Sequence, residues 1–308
     1  MRIWPLHGLL VIDKPGGMTS RDVVNRAQGW FPPGTRIGHT GTLDPLATGV
    51  LVLCVGAATR LAHYVQGMEK TYRATFKLGA RSDTDDTDGS IEALVVETPP
   101  DETTIKLCLA DFLGEIEQAP PAYSAVKAAG ERSYKLARRG NDVTLAARRV
   151  RIHDIAILRY EYPLLDVEVR CGKGTYIRSL ARDLGERLGC GALVATLRRT
   201  RVGPFEAGQA LSLDADTAAA RASLLPMSAA VAGLPRLALA ADRLQPLRQG
   251  QSIPIASADL VAPLPGQQEV AVFDEAGELA AIADLDQDQM LLKPTKVLPA
   301  PEPAETSP

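Results

Sequence analysis

Gly38-His39-Thr40-Gly41-Thr42-Leu43-Asp44-Pro45-Leu46-Ala47-Thr48-Gly49-Val50 decides how the rest of this 308-residue chain is read. Glycines, threonines and a proline surround one carboxylate, and no run is long enough for a helix. Gly38, Gly41 and Gly49 allow backbone angles or close approaches that a side chain would forbid. Pro45 fixes its own φ and moves Asp44 out of the helical region. The stretch predicts a rigid loop that presents Asp44 at a set angle, with His39 a few residues away. Val50-Leu51-Val52-Leu53-Cys54-Val55 follows as a continuous apolar run, the pattern of a buried strand. A carboxylate on a stiff loop at the edge of a buried sheet is suited to chemistry. The alternative is a turn aspartate that bonds its own backbone.

Upstream, Gly8 to Ile12 reads as a short strand ended by Asp13-Lys14-Pro15-Gly16-Gly17, a turn signal. Thr19 and Ser20 can cap a helix with Asp22 in its first turn, and Pro32-Pro33-Gly34 stops it. Downstream, Lys70 to Gly79 alternates cleanly: Tyr72, Ala74, Phe76 and Leu78 share one face of a half-buried strand. The acidic loop from Arg81 to Gly89 is a poor calcium site. With Gly89 in the sixth position, Val95 falls where a calcium loop needs a carboxylate. Asp101 to Phe112 predicts a helix, Gly114 to Lys127 extended chain, and Glu131 to Arg139 a short basic helix. Arg151 to Tyr160 and Leu164 to Cys171 pair as strands. Gly172-Lys173-Gly174 then turns into a helix from about Thr175 to Leu188, striped by Ile177, Leu180, Leu184 and Leu188. Leu197-Arg198-Arg199-Thr200-Arg201 is a basic cluster. Ala207 to Arg236 is alanine-rich and predicts helix.

Beyond Leu237 short β-like runs alternate with acidic turns, as in a small β-rich second domain. The division is therefore 8–236, 237–298 and a proline-rich tail, 299–308, that predicts disorder. The net charge of -3 hides an asymmetry, with 17 Lys/Arg against 8 Asp/Glu from Lys127 to Arg201 and 4 against 11 from Ala240 onward. A basic middle segment suits a polyanionic partner. No apolar run reaches membrane-spanning length, and Met1 to Leu10 lacks the core of a signal peptide. Cys54, Cys108, Cys171 and Cys190 are scattered without a C-x-x-C pair, which points to free thiols in a cytoplasmic protein rather than a disulfide frame or zinc site. A phosphate-cradling NTPase is excluded because no Lys-Ser/Thr follows the glycine loop at the required spacing.

Seven motifs, in order, carry a resemblance: Asp13 to Ser20; Gly38 to Val50; Lys70-Thr71-Tyr72-Arg73; Asp83 to Gly89; Tyr123 to Lys127; Gly174-Thr175-Tyr176-Ile177-Arg178; and Leu197-Arg198-Arg199. With them the chain resembles the TruB-type tRNA pseudouridine synthases over nearly all of residues 8 to 205. The resemblance implies an α/β (α+β) fold: a mixed, mainly antiparallel sheet, flanking helices, a central cleft, and a PUA-like C-terminal domain. It implies isomerisation of a T-loop uridine of tRNA, position 55, by a cytoplasmic monomer without metal or cofactor. A non-catalytic tRNA-binding or folding module on the same scaffold is the alternative.

Carried over by position, the resemblance makes Asp44 the nucleophile and Tyr72 the aromatic that stacks on the uracil and assists proton movement. Arg178 pairs with the catalytic carboxylate and keeps its pKa low. Tyr176 and Leu197 line the uridine pocket, and His39 is inserted into the T-loop. Asp86 is a polar pocket residue, and Lys14 lies near the site. Arg132, Lys135, Arg138, Arg198 and Arg199 are candidates for phosphate contacts. Attack at uracil C6 or at ribose C1′ remains open.

Overall fold

The computed structural model describes residues 6–124, 145–256 and 268–299, with the backbone of 127–128 and 131–132. In chain order the first strands are β1 Gly8–Lys14, β2 Ile37–His39, β3 Thr48–Val55, β4 Lys70–Leu78, β5 Ala80–Ser82, β6 Ile91–Ala93 and β7 Gly114–Gln118. They are followed by β8 Lys127–Ala128, β9 Glu131–Arg132, β10 Arg148–Glu161, β11 Leu164–Cys171, β12 Ala192–Val202, β13 Phe205–Glu206 and β14 Leu211–Ser212. The last five are β15 Arg236–Ala238, β16 Ile253–Pro254, β17 Gln268–Phe273, β18 Leu279–Asp286 and β19 Leu291–Val297. The helices are α1 Ser20–Ala27, α2 Ala62–Gly67, α3 Glu102–Ala110, α4 Ile177–Arg187, α5 Thr217–Ala222 and α6 Ala241–Arg248.

A ten-stranded sheet runs in the order β14-β1-β3-β12-β4-β11-β10-β7, with β13 on β12 and β2 on β3. Its pairs are antiparallel except β1 with β14 and β12 with β3. This is the mixed, mainly antiparallel α+β sheet that the sequence predicts.

The apolar run of β3 has a direct cause, since both faces of that strand are covered. Leu51, Leu53 and Val55 join one core with Val23, Val24 and Ala27 of α1 and with Ile177, Leu180 and Leu184 of α4. Val50, Val52 and Cys54 join a second core with Leu61, Val65, Phe273 and Ile282. A strand buried on both faces has no polar side to show. β4 instead keeps Lys70, Tyr72, Ala74, Phe76 and Leu78 buried while Arg73 is exposed, hence its strict alternation.

The five-stranded sheet, β15-β17-β18-β19-β16, packs α6 on one side through Leu244, Leu247, Val270, Val272 and Leu285. Its other side closes the second core of the large sheet. Tyr64 Oη donates to Glu269 Oε1 at 2.9 Å and Arg60 Nη1 to Val297 O at 2.8 Å, tying α2 and the turn before it to the smaller sheet.

Two expectations change. Residues 207–236 are not one helical run. They form a short 3-10 turn, β14, the short helix α5 and a second 3-10 turn at Met227–Val231. Gly208, Pro226, Gly233 and Pro235 interrupt the alanines, and Asp216 caps α5 by accepting from Ala219 N at 2.7 Å. The basic cluster after Leu197 lies in β12, between β3 and β4. Of the predicted basic helix, Glu131–Arg132 pairs as β9 with β8, and the rest, with the side chains of Arg132, Lys135, Arg138 and Arg139, lies outside the described residues. So does the tail beyond Pro299.

Candidate active site

Three elements grip the loop on either side of Asp44. Ser20, the first residue of α1, accepts from Leu43 N at 2.8 Å and donates to Leu43 O at 3.1 Å. Lys14, the last residue of β1, donates to Pro15 O at 2.8 Å and Pro45 O at 3.3 Å, and Gly17 N donates to Pro45 O at 2.9 Å. From β12, Arg199 donates to Val50 O at 2.7 Å and Gly41 O at 3.1 Å. The main chain on either side of Asp44 is thus held at Gly41, Leu43, Pro45 and Val50, which stiffens a glycine-rich loop. Gly49 is required sterically. Its φ is 99°, and a Cβ there would stand 2.1 Å from Arg199 O, where β12 and β3 run parallel. Gly41 carries no such constraint, since its Cβ would meet Arg199 Nη1 at an ordinary 3.6 Å.

Asp44 faces Arg178 rather than its own turn. Arg178 Nε lies 2.9 Å from Asp44 Oδ2, and Nη1 lies 3.3 Å from Asp86 Oδ2. Nη1 also donates to Thr84 O at 2.7 Å and Nη2 to Tyr123 O at 3.0 Å. The Nε–H does not point along a hydrogen bond to Asp44, so that contact is an ion pair. Arg178 is buried, and four oxygens surround it. A planar fork of five donors suits this arrangement; a lysine would not.

The acidic loop exists to hold Arg178. Asp86 Oδ1 accepts from Thr84 Oγ1 at 2.5 Å and Asp88 N at 3.0 Å, and Asp83 Oδ1 from Ser90 N at 2.8 Å. Asp85, at φ 60°, pairs with Arg182 at 2.8 Å. Its carboxyl is pushed up to about 6 by burial, against the pull of Arg182.

Above the ion pair lies a cavity of about 530 Å³. Asp44, Tyr72, Tyr176, Arg178 and Leu197 line it together, with Lys70, Arg148, Arg149 and Lys173 also on its walls. Tyr72 and Leu197 come from the inward faces of β4 and β12, and Tyr176 from the N-cap of α4. The Arg148 guanidinium carbon sits 4.6 Å from the centre of the Tyr176 ring. An aromatic and aliphatic wall facing a carboxylate can hold a flat heterocycle against a nucleophile.

Burial raises the Asp44 carboxyl above its ordinary value, and Asp86 adds to this, while Arg178 opposes it. The expectation that the arginine keeps this pKa low is therefore corrected: desolvation outweighs the guanidinium. The Asp44 side chain keeps 29% exposure toward the cavity, which tempers the shift. Burial likewise lowers Lys14 to about 8, against the upward pull of Asp44. Tyr72 is raised by burial, with Arg199 acting the other way. Lys70 is lowered to about 8, again by burial first.

The remaining named residues fall in other places. Lys14 is wholly enclosed beneath the loop, and Asp86 stands behind Arg178, so neither is on the cavity wall. His39 ends β2 opposite Leu53, one residue before Thr40, where the wall begins. Arg198 and Arg199 both have protein partners, and Arg199 also lines the cavity. Arg198 makes a two-pronged contact with Asp13 at 2.9 and 2.8 Å, and Arg199 is buried under the loop. Sequence reasoning missed the structural work of Ser20 and Arg199, and gave no part to Gln118. Ser20 and Arg199 carried only the signal of lying in the first and last of the seven motifs, and Gln118 lies in none of them.

Comparison with known proteins gives consistent matches. The model of the TruB family pseudouridylate synthase N-terminal domain matches residues 32–177, and that of the tRNA pseudouridylate synthase B C-terminal domain matches residues 178–232. The boundary between the two falls at the start of α4, inside one sheet, because β12 pairs with β3 and β4. The chain is 44% identical over 295 residues to tRNA pseudouridine synthase B of Xanthomonas euvesicatoria pv. vesicatoria (strain 85-10), covering 93% of this chain and 92% of the relative. It is 44% identical over 262 residues to tRNA pseudouridine synthase B of Chromohalobacter salexigens, covering 84% and 85%. Among solved structures it matches a chain of a Cbf5-Nop10-Gar1 complex with TM-score 0.72 and 26% identity, over 94% of this chain and 84% of that one.

Proposed function

The chain belongs to the TruB family of pseudouridylate synthases, and from that premise we propose that it converts the T-loop uridine at position 55 of tRNA to pseudouridine, with Asp44 as nucleophile. The observation that carries this is the placement of Asp44 against Arg178 on the floor of a cavity walled by Tyr72, Tyr176 and Leu197.

The reaction breaks the C1′–N1 bond of uridine and forms C1′–C5. The proton on C5 leaves, N1 gains one, and no electrons are exchanged with a second substrate. Asp44, ionised, adds either to uracil C6 or to ribose C1′; both positions fit a carboxylate beneath a flat base. Arg178 fixes the direction of the carboxylate. The detached base must turn without escaping, and Tyr72, Tyr176 and Leu197 confine it. Tyr72, whose hydroxyl stays protonated at neutral pH, is suited to exchange protons with the base.

The uridine must first leave its stack, at a cost of a few kcal/mol on general grounds. His39, beside the cavity, wedges the T-loop open. Arg148, Arg149 and Lys173, on the cavity wall, contact phosphates beside the candidates Arg132, Lys135, Arg138, Arg198 and Arg199. The enzyme works in the cytoplasm as a monomer. Residues 8–236 form the catalytic domain, and the smaller sheet of 237–298 is an accessory PUA-like domain.

The test is pseudouridine mapping of tRNA incubated with the wild-type protein and with Asp44→Asn. Wild type modifies position 55; Asp44→Asn does not, while binding tRNA with similar affinity. Modification at another position sinks the site assignment, and turnover by Asp44→Asn sinks the nucleophile.

A further inference from the structure

We propose that Gln118 is a positioning residue of this site: its carboxamide sets the main chain of Tyr176, and with it the angle at which the Tyr176 ring and the Arg178 guanidinium face the cavity. The Gln118 Nε2 donates to Tyr176 O at 3.0 Å and its Oε1 accepts from Tyr176 N at 2.8 Å. Gln118 is 1% exposed, so its amide must find its partners within the protein, where an unmade one is costly.

Tyr176 needs such an anchor. It is the N-cap of α4, in extended conformation, and no side chain of its own caps the helix. Gln118 ends β7 and stands opposite Arg148 of β10 in the ladder. Arg148 Nη2 donates to Gly174 O at 2.5 Å and lies over one face of the Tyr176 ring. Two register partners on neighbouring strands therefore hold the turn at Gly174 and at Tyr176. The chain after Gln118 continues the docking: Ala119 O accepts from Ser179 Oγ at 2.8 Å and Arg182 Nη2 at 3.0 Å, and Tyr123 O from Arg178 Nη2 at 3.0 Å. An amide is the side chain that offers one donor and one acceptor at this spacing. Gln118 touches no reacting atom; it acts through the two residues that do. This inference rests on the reading that Tyr176 and Arg178 act on the substrate.

Single-turnover rates and tRNA affinity are measured for wild type, Gln118→Ala and Gln118→Glu, with melting curves, between pH 8 and pH 5. Wild-type turnover on tRNA is the control, and its absence sinks the proposed function rather than this inference. Gln118→Ala is expected to slow the chemical step by about tenfold or more, as slight misplacement of reacting groups does, with tRNA affinity little changed. In Gln118→Glu only the protonated carboxyl can still donate to Tyr176 O. The ratio of its rate to that of wild type therefore rises as pH falls. The nearby Arg148 and Arg182 are permanent cations and do not titrate in this range. A Gln118→Ala rate within twofold of wild type overturns the proposal. So does a flat Gln118→Glu ratio, or a Gln118→Glu protein that fails to fold.

Discussion

Asp44 Oδ2 lies 2.9 Å from Arg178 Nε, yet the guanidinium spends its aligned hydrogen bonds elsewhere, on Thr84 O and Tyr123 O. Arg178 is thus fixed by the main chain and by Asp86, and its charge orients Asp44.

Arg178→Lys follows from this geometry. One ammonium cannot reach two carbonyls and two carboxylates. Each buried carbonyl left without a donor costs about 1–3 kcal/mol. The expected result is a lower melting temperature and a loss of turnover of about a hundredfold, typical of a misplaced reacting group. Thermal melts and single-turnover assays check both; near-normal turnover would remove Arg178 from the orienting role.

The raised pKa of Asp44 makes a second prediction, with opposite signs for stability and activity. Where the folded pKa lies above the unfolded one, the folded state holds the proton more tightly, so stability falls as pH rises between the two values. At neutral pH the ionised carboxylate is therefore a net cost to the fold. Asp44→Asn, neutral and of the same shape, should melt at or above the wild-type temperature at pH 7 while losing activity. Wild-type turnover should fall as pH drops through the raised pKa, at higher pH than an ordinary aspartate would give. A clear drop in melting temperature for Asp44→Asn would contradict the direction of the shift.

These relationships mark what the sequence could reveal. The loop was legible because Gly49, Pro45 and Asp44 are local signals and the β3 run is buried on both faces. The alternation of β4 gave Tyr72 its inward direction before any coordinates. What stayed hidden depends on long-range pairing. Arg199 reads from the sequence as a candidate phosphate contact in a basic cluster, and only the placement of β12 between β3 and β4 buries it under Gly41 and Val50. Arg198 reads the same way, and the pairing that brings Asp13 of β1 to it is equally long-range. Composition reads charge, but burial is decided by which strands become neighbours. The alanine-rich stretch misled for a related reason: propensity favours helix there, while the interrupting prolines and glycines cut the chain into turns.

Lys14 offers a third test. Its amine titrates near 8 in the fold, below the ordinary 10.5. Between those values the unfolded chain binds the proton more tightly, so stability rises with pH across that window, and below it the buried charge is a standing cost. Lys14→Met removes this dependence. It also removes the cation that favours the ionised form of Asp44, since the pull that Asp44 exerts on Lys14 is mutual. The pH–rate profile of Lys14→Met should therefore shift to higher pH. A profile that superimposes on wild type after normalisation would show that the two groups do not communicate.

Ser20→Ala isolates loop stiffness from charge. Ser20 Oγ is the partner of both Leu43 N and Leu43 O, and the residue is buried. Alanine leaves that amide without a partner, at about 1–3 kcal/mol. The helix cap survives, because Thr19 and not Ser20 accepts from Asp22 N. Melting temperature should fall modestly, and turnover should fall further than stability alone explains at a temperature where the protein is fully folded. Unchanged turnover in the folded variant would mean that Lys14 and Arg199 suffice to hold Asp44.

Gly49→Ala tests whether the fold depends on the close approach of two parallel strands. A Cβ at this position would stand 2.1 Å from Arg199 O and 2.9 Å from Arg199 C, at a φ of 99° that side chains rarely adopt. The obstacle is backbone, so no rotamer change relieves it. β12 would have to separate from β3, and Arg199 would lose its reach to Val50 O and Gly41 O. Strained backbone of this kind costs about 1–3 kcal/mol, and overpacking adds a similar amount. Gly41→Ala, whose Cβ would meet only an arginine tip at 3.6 Å, is the matched control. Denaturation of the two variants side by side should show a large loss for Gly49→Ala and a small one for Gly41→Ala; equal losses would mean that the loop is held by something other than the β3–β12 contact.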